Sequence, residues 1–246
     1  YLNFLLSSGA TKASSVDEAV VMMKTACNFA KSGINICFAI NGDDALKDRY
    51  HSMLIDALPK NLALCKYTDM NIFWYSTRYT SNYFGVQLSW WTTETQEVQI
   101  NNLVASVASG FTGTNYDKIK SAHDYICNKT DYCQETYEGR DNNYSAYNAL
   151  FDGKAVCQGY ALSFQKFMDK LGIPCYIAKG NVNRNGTTET HAWNIVYLDG
   201  AWYYVDCTWD GQGPDTNYYF FLRGKGYNGF SEWGGLTISE TDYGKK

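Results

Sequence analysis

The sequence predicts a mixed fold of helices and antiparallel strands, and three stretches carry that prediction. From Cys157 onward, Ala161, Phe164, Phe167 or Met168, and Leu171 recur at three- and four-residue steps, giving one apolar helical face. Residues 191–198 and 201–209 are apolar, aromatic runs joined by Asp199-Gly200, a strong two-residue hairpin signal. Residues 72–79 and 83–91 are likewise aromatic-rich and are separated by Thr80-Ser81-Asn82, a second hairpin.

Taken in order, Ser15-Val16-Asp17-Glu18 has capping-box spacing, and Val20, Met23, Cys27 and Ala30 continue a helical face up to Gly33. Residues 34–40 are apolar and β-branched enough for a strand, which Asn41-Gly42 ends. A second helix is expected over 43–58, with Pro59 just past it. After the first hairpin, Thr93-Glu94-Thr95-Gln96 caps a helix with Ile100, Val104 and Val107 inward and Gly110 closing it. This half carries no chemistry of its own and reads as scaffold or as a wall of a cleft. The division expected is a lead region, 1–112, and a catalytic region, 113–246, or one continuous domain.

Residues 115–129 form a helix bearing Ile119, Ala122, Tyr125 and Ile126, with His123 beside Asp124 read as structural. Residues 131–154 are a polar, Tyr- and Asn-rich connection expected to border the cleft, since long loops in compact domains are usually functional. Gly172 stands where a C′ glycine closes the helix from Cys157, with Pro174 beyond it. Residues 173–178 read as a buried strand and 181–190 as a polar, exposed loop.

Composition narrows the function. With 45% hydrophobic and 19% charged residues and a net charge of −4, the chain has no basic tract for nucleic acid or an anionic membrane. No apolar run approaches the ~18 residues of a membrane span. Residue 1 is Tyr rather than Met, so an upstream stretch is expected to have been removed. Eight cysteines are many for a cytosolic enzyme and few for a disulfide scaffold. Cys127 and Cys133 are close enough for a local bridge. Twenty-one tyrosines and seven tryptophans suggest a secreted or surface protein with aromatic-lined grooves. Asn128-Lys129-Thr130, Asn143-Tyr144-Ser145 and Asn185-Gly186-Thr187 match the glycosylation pattern, which matters only in a eukaryotic secretory host.

The chemistry centres on Cys157. A thiol at a helix N-terminus faces unpaired N–H groups and the positive end of the macrodipole, and both favour thiolate. Gly159, without a Cβ, would let a substrate backbone approach closely. The Asp199-Gly200 turn pairs Leu198 with Ala201 and, stepping back, His191 with Thr208. Alternation then puts His191, Trp193, Ile195 and Tyr197 on one face with Trp202, Tyr204, Asp206 and Thr208. Asp206 is a same-face diagonal neighbour of His191; Asp210, the other diagonal, lies past the strand end, and Cys207 points to the opposite face. Trp193 and Trp202 are expected to line the acyl groove or pack in the core. An imidazole that takes the thiol proton, steered by a carboxylate, is what a cysteine nucleophile requires.

Several motifs resemble the transglutaminase-like superfamily of papain-type cysteine enzymes, especially its bacterial members. They are Tyr144-Ser145-Ala146-Tyr147-Asn148-Ala149-Leu150, Gly153-Lys154-Ala155-Val156-Cys157-Gln158-Gly159-Tyr160-Ala161, His191-Ala192-Trp193-Asn194 and Val205-Asp206-Cys207-Thr208-Trp209-Asp210. His123-Asp124-Tyr125-Ile126 also resembles a recurrent, non-catalytic helix segment of these proteins. The likeness covers roughly residues 71–225. It implies an α+β fold in which a helix-borne Cys157 packs on an antiparallel sheet carrying His191 and Asp206. It implies acyl transfer: Cys157 as nucleophile, His191 as base and acid, Asp206 in preference to Asp210 as the orienting carboxylate. A thioester forms and is released by water (peptidase or amidase) or by an amine (transglutaminase). The Cys157 N–H would meet the oxyanion, with Tyr147 as a candidate second donor. Phe151 stands where papain-like enzymes carry a glutamine six residues before the cysteine, so that donor is absent. The implied partner is a protein or peptide substrate. No cofactor is implied, and no acidic cluster has calcium-ligand spacing, so no metal dependence is expected. A binding module that keeps the fold without turnover is the third reading.

Overall fold

The computed structural model describes residues 11–12, 18, 35–40, 68–76, 82–90, 92–133, 141–184, 187–213, 216–225 and 236–244. The chain divides into two compact units, Tyr1–Glu94 and Thr95–Lys246, earlier than the 112/113 division expected. The helix after Glu94 goes with the second unit. Its Glu97 is paired with the buried Lys166, and Phe111, just past its end, stacks on Phe167 with ring centroids 5.7 Å apart.

The first unit contains a four-stranded sheet in the order β1-β2-β4-β3, with β1 Thr11–Lys12, β2 Asn35–Ile40, β3 Thr68–Ser76 and β4 Asn82–Trp90. β3 and β4 form the expected hairpin, from Thr68 opposite Trp90 to Ser76 opposite Asn82, and β2 matches the strand read over 34–40. Of the helix expected over 15–33 only Glu18 is described, and it is helical; the helix expected over 43–58 lies outside the described residues.

The second unit opens with α1 (Glu94–Ala108) and α2 (Asn115–Lys129). Ile100 and Val104 are buried as their spacing requires. Thr114 and Asp117 close a reciprocal capping box on α2, satisfying two first-turn donors. Two short parallel strands, β5 (Asp131–Tyr132) and β6 (Lys154–Ala155), bracket the segment expected to be a loop. Where described, that segment also holds a 3-10 turn at Asp141–Tyr144 and a π-helical turn at Asn148–Asp152. β6 delivers the chain to α3 (Cys157–Leu171), which Gly172 ends in the left-handed region at φ 68°.

β7 (Cys175–Arg184), β8 (Thr187–Leu198), β9 (Ala201–Val205) and β10 (Phe221–Arg223) form an antiparallel sheet in the order β10-β9-β8-β7. The polar loop expected over 181–190 is instead a continuation of the β7–β8 hairpin, with Asn181 opposite Thr190 and Arg184 opposite Thr187. Backbone pairing needs no apolar side chains, so polarity misled there. The Asp199-Gly200 turn is as expected, at φ 48° and 92°, and it pairs Leu198 with Ala201. Trp193, Ile195 and Tyr204 share one core cluster with Ala178, Val182 and Ile238, which places Trp193 in the core and half-buried Trp202 at its margin. No described helix is long and apolar enough to cross a membrane.

Gly159 serves the protein rather than a substrate. It is buried, and a Cβ there would lie 2.7 Å from Ala155 Cβ and 2.9 Å from the Ser145 carbonyl. Both neighbours belong to the chain leading into α3. Gly159→Ala is expected to cost about 1–3 kcal/mol through overpacking, read as a lower urea midpoint with unchanged m. An unchanged midpoint would contradict that close approach.

Candidate active site

Cys157 is the first residue of α3 and is half-buried. Val156, the N-cap, offers no side chain to the first helical N–H groups. The approach is fixed by its own backbone: the Val156 N–H donates to the Asn143 carbonyl at 2.9 Å, and the Cys133 N–H to the Ala155 carbonyl at 3.0 Å. The helix is then clamped to its neighbours. The Tyr160 hydroxyl donates to the Thr130 carbonyl at 2.6 Å, at the end of α2, and Asn194 Nδ2 donates to the Ala161 carbonyl at 3.0 Å. Asn194 lies on β8 three residues beyond His191, so one buried amide ties the cysteine helix to the histidine strand.

His191 and Asp206 are brought together. Nε2 donates to Asp206 Oδ2 at 2.6 Å, with both side chains nearly inaccessible. The route differs from the register argument. β9 pairs with β8 only as far as Val205 opposite Asn194, so His191 has no strand partner at Thr208. The chain leaves the sheet at Asp206 and enters a four-residue helix, α4 (Cys207–Asp210), with Asp206 as its N-cap. Asp206 Oδ1 accepts from the N–H groups of Thr208 at 2.9 Å and Trp209 at 3.2 Å. One carboxylate oxygen therefore caps the helix while the other holds the imidazole.

The site is also lined by a residue that the strand reading hid. Trp209 stacks on the His191 ring with centroids 4.5 Å apart and planes 10° from parallel, and Phe220 meets Trp209 edge-on at 4.7 Å. Trp209 sits in the first turn after the Asp206 cap, and that turn swings it over His191. The signal was present as the Asp206 cap of Thr208 and Trp209, which an aromatic run concealed. Burial alone would lower the pKa of His191. The charge and hydrogen bond of Asp206 reverse this, helped by a hydrogen bond with Cys157, and raise it from 6.5 to about 10. Since Nε2 is committed to Asp206, Nδ1 is the ring nitrogen left for the thiol.

The remaining expected residues have the following neighbours. Tyr147 is half-buried and stacks on exposed Phe151 at 4.6 Å. Cys207 is buried, as expected of a core residue, but as the first residue of α4 rather than on a strand face. Asp210 accepts at Oδ2 from His123 Nε2 at 3.0 Å, so it serves the other histidine. Cys127 is not bridged to Cys133: its thiol donates to the Cys207 carbonyl at 3.3 Å.

Residues 102–207, which span Cys157, His191 and Asp206, match the family model of the transglutaminase-like superfamily. The chain carries a transglutaminase-like domain. Its α+β fold has the helix and antiparallel sheet that the resemblance implied. Over 112 residues, 42% of its length, the chain is 29% identical to the kyphoscoliosis peptidase of Mus musculus and to that of Homo sapiens. The match spans 17% of the length of each of those relatives. Among solved structures, a TGase is similar at TM-score 0.41 and 15% identity, over 81% of this chain and 60% of that one. The periplasmic domain of TgpA from Pseudomonas aeruginosa is similar at TM-score 0.35 and 18% identity, over 52% and 56%.

The raised pKa of His191 has a stability consequence. Its contribution is complete below pH 6.5, declines as pH rises, and is gone above about pH 10. For so buried a group the loss across that window is on the order of 2–5 kcal/mol. Asp206→Asn removes the cause and should flatten the dependence. Urea denaturation of both proteins at pH 6.5 and 10 checks this, and equal pH slopes would contradict it.

Proposed function

We propose that this chain is a cysteine-dependent acyl-transfer enzyme that hydrolyses peptide or amide bonds through a thioester, using Cys157, His191 and Asp206. The supporting observation is that His191, whose raised pKa owes part of its shift to the nearby Cys157 thiol, is held by a carboxylate fixed by two backbone amides. The name of the mammalian relatives, a peptidase, accords with hydrolysis.

In the proposed reaction the reactive form is thiolate with imidazolium, the thiol proton residing on His191 Nδ1. Sγ attacks the carbonyl carbon, and the electron pair of the carbonyl π-bond moves to oxygen, which meets the Cys157 N–H. Tyr147 remains the candidate second donor. The intermediate collapses as the C–N bond breaks, and the Nδ1 proton goes to the departing amine. Water then gives a proton to Nδ1 and its oxygen to the thioester carbon. The C–S bond breaks, releasing a carboxylic acid and restoring the pair. Asp206 stays ionised throughout, holding the ring by Nε2.

A second reading, transfer to an amine, draws support from the aromatic shell of His191. Trp209 covers one ring face, and Trp193 lies 6.0 Å away on a nearly parallel plane. Such cover disfavours water as acceptor. A protein or peptide substrate and a secreted or surface setting belong to the same proposal.

Iodoacetamide should label Cys157 far faster than the chain's other thiols at neutral pH, with His191→Ala reducing that rate at least ~10²-fold. Uniform labelling would count against the enzyme reading. Incorporation of a fluorescent primary amine into a glutamine-rich protein, lost in Cys157→Ala, would replace hydrolysis with cross-linking. Indistinguishable wild type and Cys157→Ala across a broad substrate panel would leave only a binding module.

A further inference from the structure

Where α4 meets α2, three potential metal ligands come together in the interior. His123 and Cys127 are one turn apart on α2, and Cys207 opens α4. All three are buried, and a ring nitrogen of His123 and the two sulfurs lie within 4.8 Å of one another. The approach is tight. A Cβ on Gly211, just past α4, would stand 3.2 Å from the Cα of Cys127, so only a residue without a side chain lets α4 press on α2 this closely.

We infer that His123, Cys127 and Cys207 form a structural zinc site joining α2 to α4. The spacing fits the ion. Tetrahedral zinc, with Zn–S about 2.3 Å and Zn–N about 2.0–2.1 Å, sets an N-to-S edge of about 3.5 Å. The observed separation of His123 Nε2 and Cys127 Sγ is 3.6 Å. The corresponding S-to-S edge, about 3.8 Å, falls inside the 4.8 Å limit that the two sulfurs obey.

The surroundings fit too. His123 Nδ1 donates to Asp124 Oδ1 at 3.1 Å, which orients the ring in the outer-shell arrangement usual for metal-binding histidines, and Nε2 takes the metal in place of the proton it otherwise gives to Asp210. Asp210 Oδ2, 3.0 Å from Nε2, is the nearest oxygen for a fourth position, and its other oxygen accepts from the Phe220 N–H at 2.9 Å. Binding releases a proton from each thiol and the Nε2 proton that His123 otherwise gives to Asp210, and the two thiolates neutralise the charge of the ion. Imidazole and thiolate are the donors zinc favours. None of this uses Cys157, so the inference stands apart from the enzyme reading.

The test is made on the untagged full chain purified from zinc-supplemented medium without chelator. About one zinc per chain should be found by mass spectrometry of the metal. Two thiols should resist alkylation until the metal is stripped under mild denaturant. Cobalt in place of zinc should give thiolate charge-transfer bands and the intense visible bands of a tetrahedral site. Cys127→Ser and Cys207→Ser should lose these features, while Cys157→Ala keeps them. The measurements on the unaltered chain decide the matter even if a serine variant does not fold. Substoichiometric metal with every thiol reacting freely would overturn the inference. So would metal that leaves with Cys157→Ala, or a Cys127–Cys207 disulfide seen as an intact mass two hydrogens lighter.

Discussion

The site depends on where β9 stops. Had the strand continued, Asp206 would have been one more alternating side chain, aimed only by the pleat. Because pairing ends at Val205, the two N–H groups that open α4 take one carboxylate oxygen and leave the other pointing at His191. A buried carboxylate and a buried imidazole are each costly alone, since neither retains its water. Their 2.6 Å hydrogen bond makes each the condition of the other's burial. The stacking of Trp209 adds an aromatic face, which favours a cationic ring.

The helix and the sheet that carry the two halves must also be held in register. The work falls to polar contacts, because apolar packing alone would let a helix slide over a sheet by fractions of a turn. Asn194, inaccessible between α3 and β8, reaches a single carbonyl on α3. Tyr160 reaches another carbonyl at the end of α2. Each is directional and each is buried, so a shift of either element would strand a polar group without water. The close approach at Gly159 sets the third coordinate, the depth at which α3 meets the chain that precedes it.

Much of this was legible in the sequence because it obeys periodicity. The apolar steps after Cys157, those of α2 and the Asp199-Gly200 turn each fix an element by local rules, and the turn alone fixed the register of β8 on β9. What was not legible obeys no local rule. The polar residues 181–190 pair through their backbone, so their side chains gave no sign of a strand. Aromatic residues stand on both sides of Asp206, at Trp202, Tyr203, Tyr204 and Trp209, and they masked the change from strand to helix there. Gly159 sits in a helix whose packing partner, the Ser145 carbonyl, lies fourteen positions earlier in an irregular segment. His123 and Cys207 are 84 positions apart, so no spacing motif could join them.

Asp206 and Asp210 stand at the two ends of one short helix, and each takes a histidine. Asp206 holds His191 on the sheet, and Asp210 holds His123 on α2. Sequence spacing alone had made them alternatives for one partner. Their separate engagement turns α4 into a bracket between the helical layer and the strand that carries His191. A helix of four residues has too little hydrogen bonding of its own to persist without such anchors. His123 on α2 and His191 on β8 are therefore joined through this one turn, by Asp210 at its end and Asp206 at its cap. The position of the His191 imidazole is set as much by the helical layer behind it as by the strand on which it grows.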